Sequence, residues 1–443
     1  MKKIITLACI AMLPLSYTAA EGYQVNSQSA RQAGMGHVGA AMKLGAESMH
    51  FNPAGLGFLD KTIDLSAGVS GVFSSGEYTK GTYKNKPDND PSTPLYFYAG
   101  FRVYDFMSAG ISVTNPYGSA MNWGKNWTGA HLIQDISLKS FSIQPTLAFK
   151  IGDRLCLGGG LMMMFGNFSL SRALITSGDL AMAADAKPPL QPFADKYKDI
   201  TPVSATLSGD AGVRLGFNIG AMYDITDRIT AGVSYRSKVQ MRVPEGTAQL
   251  TYANELELKP ILSAMIPPLD QGTFEAELPL PSNLNAGISY KPSDRLTLSG
   301  EVQFVGWGAY KELNVQFWQE SVKGYSLSAK KEYKNSRIYR IGGQFATTER
   351  LDLRLGFYFD ESPVKDNFLN PETPSMNKLG TSAGFSFRPT GNLSVDVALS
   401  YVTGFGRDGS YTDVNPVTQQ PRVFEGHYKI RAFTPSIGLS YSF

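Results

Sequence analysis

The chain is poor in the residues from which metal and catalytic sites are usually built. Its 443 residues include four histidines and two cysteines. His37, His50, His131 and His427 lie in unrelated segments, none in a metal-ligand spacing or a nucleophile elbow. No metal, no cofactor and no enzymatic activity are therefore expected. The one hydrolase arrangement left open pairs His131 or His427, both in predicted outer loops, with a serine at a membrane face. Cys9 falls in a leading apolar run, and its removal leaves Cys156 alone, which excludes an intrachain disulfide. Charge is also scarce, at 18% Asp, Glu, Lys and Arg with a net +3. Loss of Lys2 and Lys3 takes that to about +1, so no basic field for nucleic acid is implied. After the leader, no apolar run approaches the roughly 20 residues of a membrane helix, which excludes a helical membrane protein.

The chain does contain abundant glycine (45), tyrosine (22) and phenylalanine (25), with a marked two-residue period. Residues 1–20 read as a secretory signal peptide: Met1-Lys2-Lys3, an apolar run from Ile4 to Leu15, then Thr18-Ala19-Ala20. From about residue 62 onward, apolar and polar residues alternate in segments of about 10 residues. Leu351, Leu353, Leu355, Phe357 and Phe359 alternate with Asp352, Arg354, Gly356, Tyr358 and Asp360, and residues 296–304 and 393–401 repeat the pattern. No amphipathic helices are available to cover so many apolar faces, so lipid is their expected cover.

About 14 such segments can be counted. They lie near 62–73, 94–104, 107–116, 140–150, 154–170, 206–224, 228–242, 281–291, 295–307, 336–347, 351–361, 377–388, 392–403 and 428–443. Tight turns, three of them carrying Asp-Arg before Leu or Ile, alternate with connections of roughly 15 to 40 residues, as in bacterial outer-membrane barrels. An even strand count puts both ends of the barrel on the periplasmic side. The last segment alternates to a terminal Phe443, similar to a signal for outer-membrane barrel insertion. The expected fold is therefore all-β: a 14-stranded antiparallel transmembrane barrel over residues 62–443, in the bacterial outer membrane.

Residues 21–61 precede the first strand and are expected to form a hatch in the lumen. They contain Gly34-Met35-Gly36-His37-Val38-Gly39, which fits the dinucleotide fingerprint in letters only. The polar residues 23–33 are no buried strand, and no βαβ unit follows, so the glycines are read as packing and turn residues. The segment ends in Phe51, Asn52, Pro53, Ala54 and Gly55, nominated as the gate.

Several features together carry a family resemblance. They are the leader, the glycine-rich lead-in, Asn52-Pro53-Ala54-Gly55-Leu56, the Asn115-Pro116-Tyr117-Gly118 break with Trp123 and Trp127 beyond it, Ile143-Gln144-Pro145-Thr146-Leu147-Ala148, and the strand count. Across the mature chain this resembles the FadL / toluene-transporter (TodX-like) family of outer-membrane transporters of hydrophobic compounds. The resemblance implies a hatch-plugged barrel that imports long-chain fatty acids, similar lipids or aromatic hydrocarbons. Capture would occur at an apolar groove in the outer loops, holding in a lumen pocket, and release sideways beside a kinked third strand. The implied partners are the hydrophobic ligand and outer-membrane lipid, with the protein acting as a monomer.

The residues give each step a location. Two long loops carry Leu180, Met182, Leu190 and Phe193, and Leu258, Ile261, Leu262, Met265 and Ile266; these either pack on each other or wall a groove. Met162 and Met164 alternate with Leu161, Met163 and Phe165, and whichever row faces inward meets either a ligand or the hatch. At Asn115, Pro116 and Gly118 the third strand either bends to leave a lateral opening or simply ends, because proline has no ladder donor. Arg214, Arg340 and Arg354 are on predicted lumen faces, as partners for a ligand carboxylate or for lumen acids. The alternative functions are a general diffusion porin, a structural barrel or, less favoured, an outer-membrane lipid hydrolase.

Overall fold

The computed structural model describes residues 23–266, 268–323, 326–415 and 420–443. The signal peptide expected over residues 1–20 lies outside them. Fourteen strands close into one antiparallel barrel. They are β1 (Ile63–Ser70 and Phe73–Lys80), β2 (Leu95–Tyr104), β3 (Met107–Thr114 and Gly118–Asn122), β4 (Asp135–Ile151), β5 (Leu155–Ile175), β6 (Val203–Asp224) and β7 (Ile229–Arg236 and Val239–Tyr252). The second half comprises β8 (Thr273–Leu280 and Asn283–Ser293), β9 (Leu296–Val305 and Glu312–Phe317), β10 (Leu327–Lys330 and Ser336–Thr348), β11 (Leu351–Asp360), β12 (Lys378–Phe387), β13 (Leu393–Gly404 and Arg407–Val414) and β14 (Pro421–Ser442). β1 pairs with β14 from Asp64↔Ser442 to Ser70↔Ser436, which closes the cylinder. Closure matters because an open sheet edge has no hydrogen-bond partners in lipid.

The two-residue period fixes which side of each strand faces lipid. On β11, Leu353, Leu355 and Phe357 are 47%, 60% and 48% exposed, whereas Arg354 between them is 3% exposed and lies in the lumen. Several strands are longer than their apolar period predicts. The segment read as 228–242 runs on to Tyr252, the one read as 281–291 starts at Thr273, and the one read as 428–443 starts at Pro421. In these extensions the outward faces are mostly polar, as at Arg242, Glu275 and Glu277, with Val423 an exception. They stand above the apolar belt, so the lipid signal stops while the ladder continues.

The described residues ahead of β1 fold inside the cylinder. Ser29 caps a helix at Ala30–Ala33 by accepting the Gln32 N–H at 3.1 Å. Asn52 Oδ1 does the same for Ala54 N at the 3-10 turn Pro53–Phe58. The Gly34–Gly39 run forms turns against the wall. Gly36, at φ +66°, donates its N–H to Ser382 Oγ at 3.0 Å, and a side chain there would crowd the Phe357 backbone.

Glycine on the wall allows this close approach. A β-carbon at Gly158, Gly220, Gly232, Gly342 or Gly356 would run into Pro53, Asn52, Ala40, Met35 or Gly36 respectively. Charge then fixes the register of the inserted segment. Glu301 accepts the Gly39 and Ala40 amides at 2.8 and 2.7 Å and pairs with Arg340 at 3.3 Å. Asp396 pairs with Arg354 at 3.3 Å and with Arg31 of the inserted segment at 3.6 Å. Breaking such a buried pair by removing one partner costs about 3–5 kcal/mol, so this part of the insert is firmly held.

Gly356→Val is expected to push the insert off the β11 wall, at the ~1–3 kcal/mol typical of overpacking. In planar bilayers the variant should conduct where the parent is nearly silent. Gly391→Val, at a turn with no neighbour within 4 Å of the added carbon, should behave as the parent. A silent Gly356→Val channel would contradict the packing argument.

Candidate functional site

β3 stops pairing with β2 at Thr114, where Thr114 faces Tyr96. Its second piece, from Gly118, pairs with β4 alone. Pro116 supplies no N–H and Asn115 is turned inward, so the strand breaks here as its proline requires. The freed backbone groups are not left empty. Val25 N–H donates to Pro116 O at 2.9 Å, and Gly118 N–H donates to Tyr23 O at 2.7 Å. Gln28 Nε2 donates to Asn115 O at 2.8 Å, and Tyr98 Oη donates to Gln28 O at 2.8 Å. The start of the inserted segment thus lies along the break as a short extra strand, with Gln24 bridged to Tyr117. Side chains of the break complete it: Asn115 Oδ1 accepts Leu95 N–H at 3.1 Å and its Nδ2 donates to Ser140 O at 3.0 Å.

From this point aromatic side chains reach across the lumen. Tyr117 Oη donates to Pro281 O at 3.0 Å and Tyr23 Oη donates to Pro279 O, both at the break in β8. The Tyr23 ring meets Trp307 edge-on at 4.8 Å and Tyr310 at 5.8 Å, and Tyr333 packs behind both. Against this aromatic group lies an apolar cavity of about 60 Å³, lined by Tyr23, Tyr310, Phe168, Met241 and Leu278 among others. A second cavity, of about 930 Å³, is lined by Leu132, Leu174, Met265, Ile266 and Tyr411. Glu372 lines both, and it pairs with the buried Lys331. The small cavity leaves little room, and Tyr23 forms part of its wall.

The structure distributes the sequence-nominated residues as follows. Met162 and Met164 face the lumen and are buried in the aromatic cluster, whereas Leu161 faces out. Leu180, Leu190, Leu258, Leu262 and Ile266 are buried in one loop cluster, with Phe193, Ile261 and Met265 packed against it. The two loops therefore pack on each other, while Met265 and Ile266 also wall the larger cavity. Met182 stands apart and exposed. Arg340 and Arg354 are committed to wall acids; Arg214 faces the lumen with its buried Nε unpartnered.

Phe51 to Gly55 do not meet the β3 break. Asn52 donates to Ala40 O at 2.6 Å and Ala221 O at 3.1 Å, anchoring that turn against β6. The groups at the break are Tyr23 to Gln28, which carry no sequence period; their only advance signal is that unpaired backbone at Pro116 needs some partner. Trp123 and Trp127 stack at 4.8 Å in the same cluster as Tyr78 and Phe424. His427 lies within β14, not in a loop, and contacts Asp408 at 3.1 Å.

Over the lumen, His131 sits in the connection between β3 and β4, against the Phe424 ring at 5.5 Å. Burial, and then the nearby Arg422 charge, lowers its pKa to about 4; Asp413 and Asp179 pull the other way and Arg172 adds to the lowering. Because the folded value lies below the free one, the stability from neutral His131 is present above about 6.5 and is lost as pH falls through 4. Tryptophan fluorescence from the Trp123–Trp127 stack should change over that window, and the change should shrink in His131→Leu. An identical profile in the variant would remove His131 as the cause.

Comparison with known proteins gives a consistent picture. The sequence model of a family described as outer membrane protein transport protein (OMPP1/FadL/TodX) matches residues 10–443. The chain is 27% identical to a putative outer membrane protein of Neisseria meningitidis serogroup B, over 100% of this chain and 98% of that one. It is 23% identical to a long-chain fatty acid transport protein of Salmonella typhi, over 86% and 87%. Among solved structures it superposes on a Pseudomonas aeruginosa FadL homologue with a TM-score of 0.79 at 19% identity, covering 96% of this chain and 100% of that one.

Proposed function

The chain belongs to the OMPP1/FadL/TodX family of outer membrane transport proteins, and from that premise we propose that it imports long-chain fatty acids or comparable hydrophobic compounds, aromatic hydrocarbons included, by gating the β3 break. Its place is the bacterial outer membrane. The observation that carries the reading is the pairing of Tyr23–Gln28 with the break, beside an apolar cavity that Tyr23 lines.

In this reading the ligand first partitions into the larger outer cavity, past Met265 and Ile266. It then enters the small cavity by displacing Tyr23. Withdrawal of Tyr23–Gln28 removes the extra strand from β3 and leaves a side exit. Release requires about five hydrogen bonds to break, at a net ~1 kcal/mol each. Burying about six methylenes, at ~0.8 kcal/mol each, offsets that. A long chain thus opens its own path and no energy source is needed. The floor around Glu301 and Asp396 stays in place, since its ion pairs are not on the path. Arg214, on the lumen side of β6 with its Nε unpartnered among the described residues, is positioned to meet a ligand carboxylate. The process is transport without chemistry, carried out by a monomer. A general porin fits less well, because the inserted segment fills the bore that a porin keeps open.

A Gln24→Cys/Tyr117→Cys pair, made in a Cys156→Ala background, joins the inserted segment to the break across its bridge. Oxidised, it should stop cellular uptake of a labelled long-chain fatty acid, and a reductant should restore it. Unchanged uptake by the cross-linked protein would overturn the proposal.

A further inference from the structure

The barrel wall loses its ladder at a second place. β6 and β7 pair from Asp224↔Thr230 to Asn218↔Arg236, and again from Ser208↔Thr247 to Val203↔Tyr252. Between these stretches, residues 209–216 and 239–246 have no register with each other, although both strands continue to pair on their other sides with β5 and β8. Both strands contribute to the fault. β6 places two residues, Gly212 and Val213, opposite Phe165 of β5, and β7 is interrupted at Ser237-Lys238. The interruption lies level with Phe217, at the lower end of the seam, and the bulge lies within it, and together they leave the two edges out of step.

Side chains, not main-chain bonds, cover the seam. Val239, Met241 and Val243 are buried behind it. A β-carbon at Gly216 would come within 2.5 Å of Val239 Cγ2, and one at Gly209 would overlap Val243 Cγ1. At exposed Gly212, beside lipid-facing Val213, nothing lies within 4 Å of such a carbon, so a side chain there would project freely from the outer face of the bulge. Directly behind it is the apolar cavity, which Ala211, Met241 and Val243 all line. In front of it, Val213 and Leu215 are 62% and 64% exposed, like the lipid-belt residues Ile341 (61%) and Leu355 (60%). Below them the Phe217 and Tyr235 rings meet at 5.9 Å, beside exposed Lys238, and above them β7 presents exposed Arg242. The seam therefore stands where hydrocarbon gives way to head groups. Arg214, with its unpartnered Nε, flanks the bulge on the lumen side.

We propose that the seam between β6 and β7 is a second side passage, through which a membrane-dissolved amphiphile with an anionic head exchanges its chain between the outer leaflet and the apolar cavity. This rests on the import reading and adds a route that bypasses the outer loops. Opening takes only rotamer changes of Val239, Met241 and Val243, and methionine adapts readily to a passing chain. Arg214 receives the head group once the chain is inside.

The test is a Gly209→Cys/Val243→Cys pair in the Cys156→Ala background, reconstituted in vesicles whose bilayer already holds an anthroyloxy-labelled fatty acid. Loading is followed as energy transfer from the protein's tryptophans. The oxidised pair should load several-fold more slowly than the reduced one. Gly212→Phe, which sets a ring over the outer mouth of the seam without needing a disulfide, should slow it likewise. Equal rates in oxidised and reduced pair, or a parental rate in Gly212→Phe, would overturn the proposal. The hatch cross-link at residues 24 and 117 separates the two ideas. If it stops uptake while seam closure changes nothing, the seam proposal falls and the import reading stands; if neither affects uptake, the import reading itself falls.

Discussion

Two main-chain hydrogen bonds, from Val25 N–H to Pro116 O and from Gly118 N–H to Tyr23 O, join the inserted segment to the break in β3. Proline at 116 makes them necessary. A strand that loses its ladder in a membrane wall exposes backbone groups that lipid cannot satisfy, so those groups need a partner from within the protein. The inserted segment supplies it at its leading end. The wall and the cavity thereby share one residue, because Tyr23 contributes both the carbonyl that meets Gly118 and the ring that lines the apolar space.

The rest of the insert is held by different physics. Wall glycines bring its backbone into contact with the strands, the wall acids Glu301 and Asp396 bind it, and its own Glu47 accepts Ser29 within the insert and Ser66 of β1 at 2.7 Å each. These contacts are buried and mutually paired, so they yield only at considerable cost. The leading residues instead have neutral hydrogen bonds of modest net value. That contrast is why the proposed gating places motion at residues 23–28 and leaves residues 29–59 as the fixed part. The Asn52-Pro53 turn belongs to the rigid part, wedged against β5 and β6 at Gly158 and Gly220.

Much of this was legible in the sequence where a side chain's periodicity reports its surroundings. Leu353, Leu355 and Phe357 reveal a lipid face because each alternates with a lumen residue, and Pro116 marks a break because its ring removes a donor. The extensions of β7, β8 and β14 were not legible, since both of their faces meet polar surroundings or packed loops. Arg340 and Arg354 could be placed in the lumen but not paired, because Glu301 and Asp396 reach them only through the closure of the sheet. Tyr23 to Gln28 looked featureless: their role is set by backbone groups, which every sequence carries alike. The loop residues Leu258, Ile261 and Leu262 showed an apolar stripe, yet only the fold reveals that its partner is the other loop and that Met265 and Ile266 also turn toward the outer cavity.

The division between a yielding lead and a fixed floor is tested most directly by amide hydrogen exchange at four positions, with and without a saturating long-chain fatty acid. The account predicts that the Val25 and Gly118 amides are protected in the free protein and exchange markedly faster with ligand, while Gly39 and Ala40, bound to Glu301, keep their protection. Unchanged or increased protection at Val25 and Gly118 on adding ligand would contradict it.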